Sequence, residues 1–297
     1  METQQKIKLI ADRDFGGNFD LSIKFIKQNY TSVLKGLVYL IPLLMIAAFF
    51  VPNLFDIYYD LGRGINNSNS GSFSQDNPFE GISILGIIGA YILLLIVMFL
   101  IIVYTISYMA LYQKSENGTV AVSEVWSKTF KVALPLLLGS LLFGIAFCIG
   151  YIFCIIPGLI VAVYLGFYIY VYINEDLSII DSFQRSFALV QNNFWVTLGF
   201  GMAFSMLIGM VSVIFILPMY AGMIASMLQV EFFANDIVFY ICITIVFCIY
   251  ILLYPALYMA MGTLYYSHRA KLDGPDIESE IENIGNYNYE QESSYEK

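Results

Sequence analysis

Residues 132–173 carry no charged side chain, and no other feature limits the fold as tightly. A transmembrane helix needs about 20 apolar residues to cross a hydrocarbon layer roughly 30 Å thick. The run is therefore too long for one crossing and fits two, with Pro157-Gly158 as the natural turn. Four more runs have spanning length: 34–51, 82–112, 194–219 and 237–266. Pro52-Asn53 ends the first, and Pro255 is expected to kink the last. The run 82–112 exceeds what a bilayer requires and should tilt or extend past the lipid, with Tyr104, Tyr108 and Tyr112 toward its wet end. Gly199, Gly201 and Gly209, with Ala203 and Ser205, should let a neighbouring helix approach the fifth span. Composition agrees: 59% of the residues are hydrophobic and 12% charged, with mean hydropathy +0.74, where soluble domains carry roughly 25% charge. The expected fold is all-α, a polytopic integral membrane protein with six transmembrane helices.

Between the fourth and fifth spans lies a stretch of another kind, residues 174–195. Ile180, Phe183, Phe187, Val190 and Phe194 recur at spacings of three and four and so share one helix face. Asp181, Gln184, Arg185, Gln191 and Asn192 fall on the other side. Ser178 with Asp181 three residues on forms a capping-box start. Asp181 and Arg185, one turn apart, are expected to pair for a few tenths of a kcal/mol. Such a helix between two spans belongs at the membrane interface, with its apolar face against the bundle or the lipid boundary. On this reading the apolar face far outweighs the ion pair. An ordinary loop with a short helix is the alternative.

Two earlier segments resemble this one. With Tyr30, Phe130 and Phe194 superposed, residues 25–30, 125–130 and 189–194 match in pattern, and Leu34, Leu134 and Leu198 coincide. Each copy is a polar-faced helix, ending in an aromatic, that leads into an apolar span. In the first copy Phe19, Ile23, Ile26, Tyr30 and Val33 share a face. In the second, Ser123 is the expected N-cap and Trp126 and Phe130 the interfacial anchors. The pattern implies three parallel helical hairpins, each preceded by an interfacial amphipathic helix. Chance likeness between amphipathic helices is the alternative. A second kind of intermediate segment, 220–236, carries Met223, Met227, Val230 and Phe233 on an apolar face.

Six spans put both termini on one side, and 13 of the 14 basic residues fall there, Arg63 being the exception. By the positive-inside rule that side is cytoplasmic. Residues 1–18 read as a short polar tail, 19–271 as the membrane domain, and 272–297 as an acidic, disordered tail. That tail accounts for most of the net charge of −9, so the membrane part is near neutral and has no nucleic-acid footprint. The connection 62–77, rich in Gly, Ser and Asn, is expected to be flexible and on the outer side. No apolar stretch precedes residue 33, so no cleavable signal is expected.

Chemistry is sparse. Cys148, Cys154, Cys242 and Cys248 lie inside apolar runs and read as small buried residues. His268, beside Arg269 and Lys271, reads as a cation at the membrane edge. Neither a zinc-protease motif nor a phosphate loop occurs, and Ser182 and Ser186 lack a nearby base. Apart from Lys35 at the rim of the first span, the spans hold no Asp, Glu, Lys, Arg or His, which argues against a proton-coupled pump. Intramembrane hydroxyls such as Ser140 and Ser212 are expected to bond to their own helix or a neighbour. No cofactor, metal or catalytic set is expected.

Glu175, Arg185-Ser186, Leu189 with Val190, and Phe194-Trp195 together resemble a family of bacterial polytopic membrane domains of unknown function. The family includes the domain attached to some glycerophosphodiester phosphodiesterases. The resemblance covers roughly residues 19–271. It implies an integral membrane domain without hydrolase activity, in the bacterial cytoplasmic (inner) membrane, for which Glu175, Asp181, Phe183, Arg185, Ser186, Phe187, Val190, Phe194 and Trp195 form a structural motif. The expected role is a non-enzymatic module that scaffolds or regulates envelope components, with membrane lipids and other membrane proteins as partners. A transporter or lipid-translocating permease is the alternative. A polar cavity between the spans would favour the permease, and tight packing the scaffold.

Overall fold

The computed structural model describes residues 6–49, 84–227 and 236–274, and every regular element among them is helical. In chain order these are α1 (Phe15–Leu37), a 3-10 turn (Val38–Leu40), α2 (Ile41–Phe49), α3 (Ile84–Lys114), α4 (Val122–Phe153), α5 (Ile155–Leu165), α6 (Tyr168–Glu175), α7 (Ile179–Val190), α8 (Phe194–Met227) and α9 (Asp236–Asp273). The expected flexible connection 62–77, residues 228–235 of the later intermediate segment, and the acidic tail past Gly274 lie outside the described residues, as do the side chains of Cys242 and Cys248.

Five stretches among the described residues are long and apolar enough to cross a membrane: Phe15–Ile46, Tyr91–Lys114, Val122–Phe153, Ile155–Glu175 and Phe194–Val213. They fall on the first five expected spans. The sixth falls within α9, whose side chains are described from Ile251 onward.

Only one of the three amphipathic segments is a helix of its own. α7 stops at a turn over residues 191–193, where Asn192-Asn193 favours side-chain bonding to the backbone over helix. The first segment runs on inside α1 to Leu37, and the second is the opening of α4. Nor does Ser123 cap α4: the cap position is Ala121, which makes no side-chain cap bond, and Glu124 in the first turn faces the helix dipole. The turn between the third and fourth spans also moves. It sits at Cys154, whose backbone is extended, and Pro157 falls in the first turn of α5, where a residue without an N–H is tolerated. Cys148 and Cys154 are exposed free thiols rather than buried ones.

The chain forms two compact units. One comprises Met1–Val33, Val103–Ser205 and Ala256–Lys297, the other Leu34–Ile102 and Met206–Pro255. In the second, Leu37, Leu40, Leu44, Val97, Ile101 and Ile251 are buried. The core of the first is unexpectedly polar. The buried face of α1 is Asn18, Ser22, Phe25, Asn29 and Val33, so of the expected face only Val33 is fully enclosed. Asn18 Nδ2 donates to Ser267 Oγ at 3.1 Å, Ser22 bonds to Thr263, and the Tyr108 hydroxyl donates to Asn29 Oδ1 at 2.9 Å. Tyr104, Tyr108 and Tyr112, near the C-terminal end of α3, are buried in this packing. Residues 6–14 are tied down as well. Lys6 donates to the Gln113 carbonyl, Ile7 N–H to the Tyr112 hydroxyl, and the Arg13 guanidinium to the carbonyls of Lys8 and Leu9.

The three superposed segments share a detail. Phe25, Val125 and Leu189, equivalent in the sequence match, are all fully enclosed. Four residues on, Asn29 Nδ2, Thr129 Oγ1 and Asn193 Nδ2 donate back to the carbonyls of those residues, at 3.2, 2.7 and 3.3 Å. Such back-bonding turns a short polar side chain onto its own helix, and at Leu189 it satisfies a carbonyl at the helix end.

Candidate functional site

Most motif residues meet at an elbow between α6 and α7. α6 ends at Glu175, and Asp176 takes the left-handed conformation (φ 51, ψ 33) that reverses the chain after a helix. Two residues later Ser178 caps α7. Its hydroxyl oxygen accepts from the Asp181 amide at 3.2 Å and donates to Asp181 Oδ2 at 2.6 Å. The Ser178 N-cap is thus present, with the Asp181 carboxylate bonded to the capping hydroxyl.

Arg185 therefore does not pair with Asp181. Its Nε donates to Glu175 Oε2 at 2.9 Å and its Nη2 to both oxygens of Asp273. Arg269 lies 3.9 Å from Glu175 Oε1 and 3.6 Å from Asp273 Oδ2. The Tyr265 hydroxyl donates to Glu175 Oε1 at 2.7 Å, and the Tyr266 hydroxyl to Asn174 Oδ1 at 2.8 Å. Two carboxylates and two guanidiniums thus form a charge-balanced group, hydrogen-bonded through Arg185 and in ionic contact through Arg269, that joins the end of α6, the middle of α7 and the last turns of α9. Burial acts to lower the Arg185 pKa, but the Asp273 and Glu175 carboxylates outweigh it and raise it. In place of a local contact with Asp181, Arg185 makes a tie to Asp273 across 88 residues of chain.

Ser186 does a different job. Between α5 and α6 the helix breaks at Gly166-Phe167, leaving backbone groups without intrahelical partners. The Ser186 hydroxyl donates to the Tyr164 carbonyl at 2.8 Å and accepts the Phe167 N–H at 3.1 Å, closing both sides of the break. The buried residues of α7 are Ser182, Ser186, Leu189 and Val190. Of the expected apolar face, Ile180 is 65% exposed and Phe187 46%, although Phe187 stacks on Tyr164 and Phe183 on Tyr168. Phe194 packs on Tyr164 and on Trp195, itself exposed.

The last turns of α9 also hold the start of α8. Lys271 Nζ donates to Asn193 Oδ1 at 3.0 Å, and His268 Nε2 bonds to Thr197 Oγ1 at 2.9 Å. Thr197 spends its proton on the Asn193 carbonyl, so Nε2 is the donor in that pair. Burial, with Lys271 adding to it and Asp12 opposing, brings the His268 pKa down to about 4. His268 is therefore a neutral packed imidazole at pH 7, correcting its reading as a cation. The sequence pointed to Glu175 and Arg185 but not to Asn174, Tyr265, Tyr266, Arg269 or Asp273. No local spacing links positions some 90 residues apart.

Along α5 and α8 lie two apolar hollows. One of about 330 Å³ is lined by Ala162, Val163, Gly166, Gly201, Met202 and Tyr258 among others. The other, about 400 Å³, is lined by Ile156, Ile160, Tyr164, Phe194 and Trp195, and the two share Leu159 and Leu198. Gly201 opens this groove; its nearest neighbour across the gap is the Met261 side chain, not a helix backbone. Among the described residues, no three His, Cys, Asp or Glu side chains converge as metal ligands would. Comparison with protein-family models, curated proteins and solved structures finds no match.

Proposed function

We propose that this chain is a non-enzymatic multi-pass membrane module with a scaffolding or regulatory role in the bacterial envelope. Its partners on this reading are membrane lipids and other membrane proteins. The observation that carries it is the closure of the elbow. Glu175, Arg185, Arg269 and Asp273 are committed to one another and to Tyr265, so the motif's charged groups hold helices in place. The resemblance to the bacterial membrane-domain family points the same way. Three parallel hairpins with both termini cytoplasmic complete the proposal. The equivalent back-bonds at Asn29, Thr129 and Asn193 support the repeat, and the distribution of basic residues supports the orientation.

The test pairs stability with activity. Purified protein is expected to release no product from glycerophosphodiesters, and Arg185→Ala to lower thermal stability in detergent. Hydrolysis abolished by a point change that leaves the melting curve unaltered would sink the reading.

The apolar groove along α5 and α8 favours a second reading, a lipid-translocating permease. Proteoliposomes carrying fluorescent phospholipid decide between them. Dithionite bleaches the outer leaflet alone if no lipid crosses, and the whole pool if it does.

A further inference from the structure

Where α4 meets α5, the exposed surface is wholly apolar. Residues 151–156 read Tyr-Ile-Phe-Cys-Ile-Ile, and every one is exposed, with Ile152 at 81% and Phe153 at 82%. The connection is the single residue Cys154, whose N–H donates to the Gly150 carbonyl at 3.2 Å. Just behind it the two helices touch backbone to backbone. A Cβ on Gly150 would lie 3.0 Å from Gly158 N, and one on Gly158 would lie 3.1 Å from Tyr151 Cα. The two glycines thus draw the helices together into a narrow apolar point.

A connection that emerges into water normally carries polar turn residues. The connection 53–81 of this chain does so, with Gly62, Asn66, Asn67, Ser68 and Asp76. Helix length explains the contrast. From Val132, past the last cation Lys131, to Phe153 is about 22 residues, or about 33 Å of helix; from Ile155 to Ile173, across the break at Gly166-Phe167, is about 19 residues, or at most about 28 Å. A hydrocarbon layer is roughly 30 Å thick, so the hairpin is used up in the crossing. The open backbone groups at the point would be costly in mid-bilayer, which sets them at the headgroup level, where water still reaches.

Taking α4 and the α5–α6 pair as membrane-crossing, we propose that residues 151–156 are a lipid anchor. The point is seated in the headgroup–acyl boundary of the leaflet opposite Lys131. Its ligand is the glycerol and upper acyl region of membrane phospholipid, and no water-exposed loop joins α4 to α5. Tyr151 supplies the amphipathic ring suited to that depth, and Ile152, Phe153, Ile155 and Ile156 supply the apolar wedge.

Cys154 is a reporter already in place. With Cys148, Cys242 and Cys248 replaced by Ser, Cys154 in phospholipid vesicles should react with a membrane-impermeant maleimide at least tenfold more slowly than in SDS. The same background with Cys154→Ser sets the blank. A spin label on Cys154 should collide more often with oxygen than with a water-soluble nickel chelate, and should broaden when nitroxide-tailed phospholipid is added. Equal maleimide rates in vesicles and SDS would overturn the proposal. So would protection without broadening, because a protein contact would then cover the point. Release of the chain from the vesicles by alkaline carbonate would overturn the membrane reading itself, a result distinguishable from both.

Discussion

The elbow at the end of α6 and the point between α4 and α5 belong to the same compact unit and follow opposite rules. At the elbow, charged and phenolic groups are enclosed by one another: Glu175 is bonded by Arg185 and Tyr265, and Tyr266 by Asn174. At the point, isoleucine and phenylalanine are largely exposed among the described residues, Ile152 and Phe153 most of all. A soluble protein would reverse both choices. The difference indicates that the surroundings change along these helices, from a polar layer that ion pairs can bridge to a layer in which apolar side chains need no partner. One end is held by specific bonds, the other by its solvent.

The comparison breaks most readily at Glu175. Removing its carboxylate leaves Arg185 and Arg269 to share Asp273 and strands the Tyr265 hydroxyl. Breaking a buried charge pair costs about 3–5 kcal/mol. Glu175 is 11% exposed and its partner Arg185 23%, so Glu175→Ala should lie near the lower end, about 3 kcal/mol, read as an earlier unfolding midpoint in detergent. Tyr265→Phe removes a single hydrogen bond and should cost about 1 kcal/mol.

Acid should loosen the same end without any mutation. His268 titrates near 6.5 when unfolded and at about 4 in the fold. Between those values the unfolded chain takes up a proton that the fold refuses, so stability is complete above pH 6.5 and declines as the pH falls toward 4. The full loss is on the order of 3 kcal/mol. His268→Gln should flatten the pH dependence of the melting temperature across that window, and an unchanged slope would contradict the neutral, packed imidazole.

What the sequence disclosed divides along the same line. The spans were legible because transfer into lipid is a property of composition, and the Ser178 cap was legible because capping is settled within four residues. Of the inward faces of α1 and α7, only Val33 and Val190 were legible. Periodicity weights large apolar residues and so selected Phe19, Ile23 and Ile26, and likewise Ile180 and Phe187. In lipid such residues gain little by turning inward, whereas small polar ones find partners there, and Asn18, Ser22, Asn29, Ser182 and Ser186 are what the fold encloses. The partners of Arg185 were hidden because Asp273 had been assigned to a disordered tail. The turn at Cys154 was hidden because Pro157-Gly158 carries a stronger turn signal than the helix-start role it fills.

Ser186 gives a smaller, sharper break. Ser186→Ala strands the Phe167 N–H and the Tyr164 carbonyl at the α5–α6 break, for about 2 kcal/mol. Its signature is local: amide exchange at Phe167 should accelerate more than exchange within α4.

The smallest expected effect tests the other side of the comparison. Ile152→Ala removes three carbons from a side chain that touches almost nothing, and exposed substitutions of this kind stay within about 0.5 kcal/mol. The same truncation at Leu189, buried beneath α7, opens a cavity and should cost about 2–5 kcal/mol. Unfolding in detergent micelles reads both, because a micelle solvates an apolar point as readily as a bilayer does. If Ile152→Ala unfolds as early as Leu189→Ala, the point has a partner within the protein and the two ends are built alike. If it unfolds with the wild type, its isoleucines serve something outside the fold, and the two variants' affinity for phospholipid vesicles should then rank in the reverse order of their stability losses.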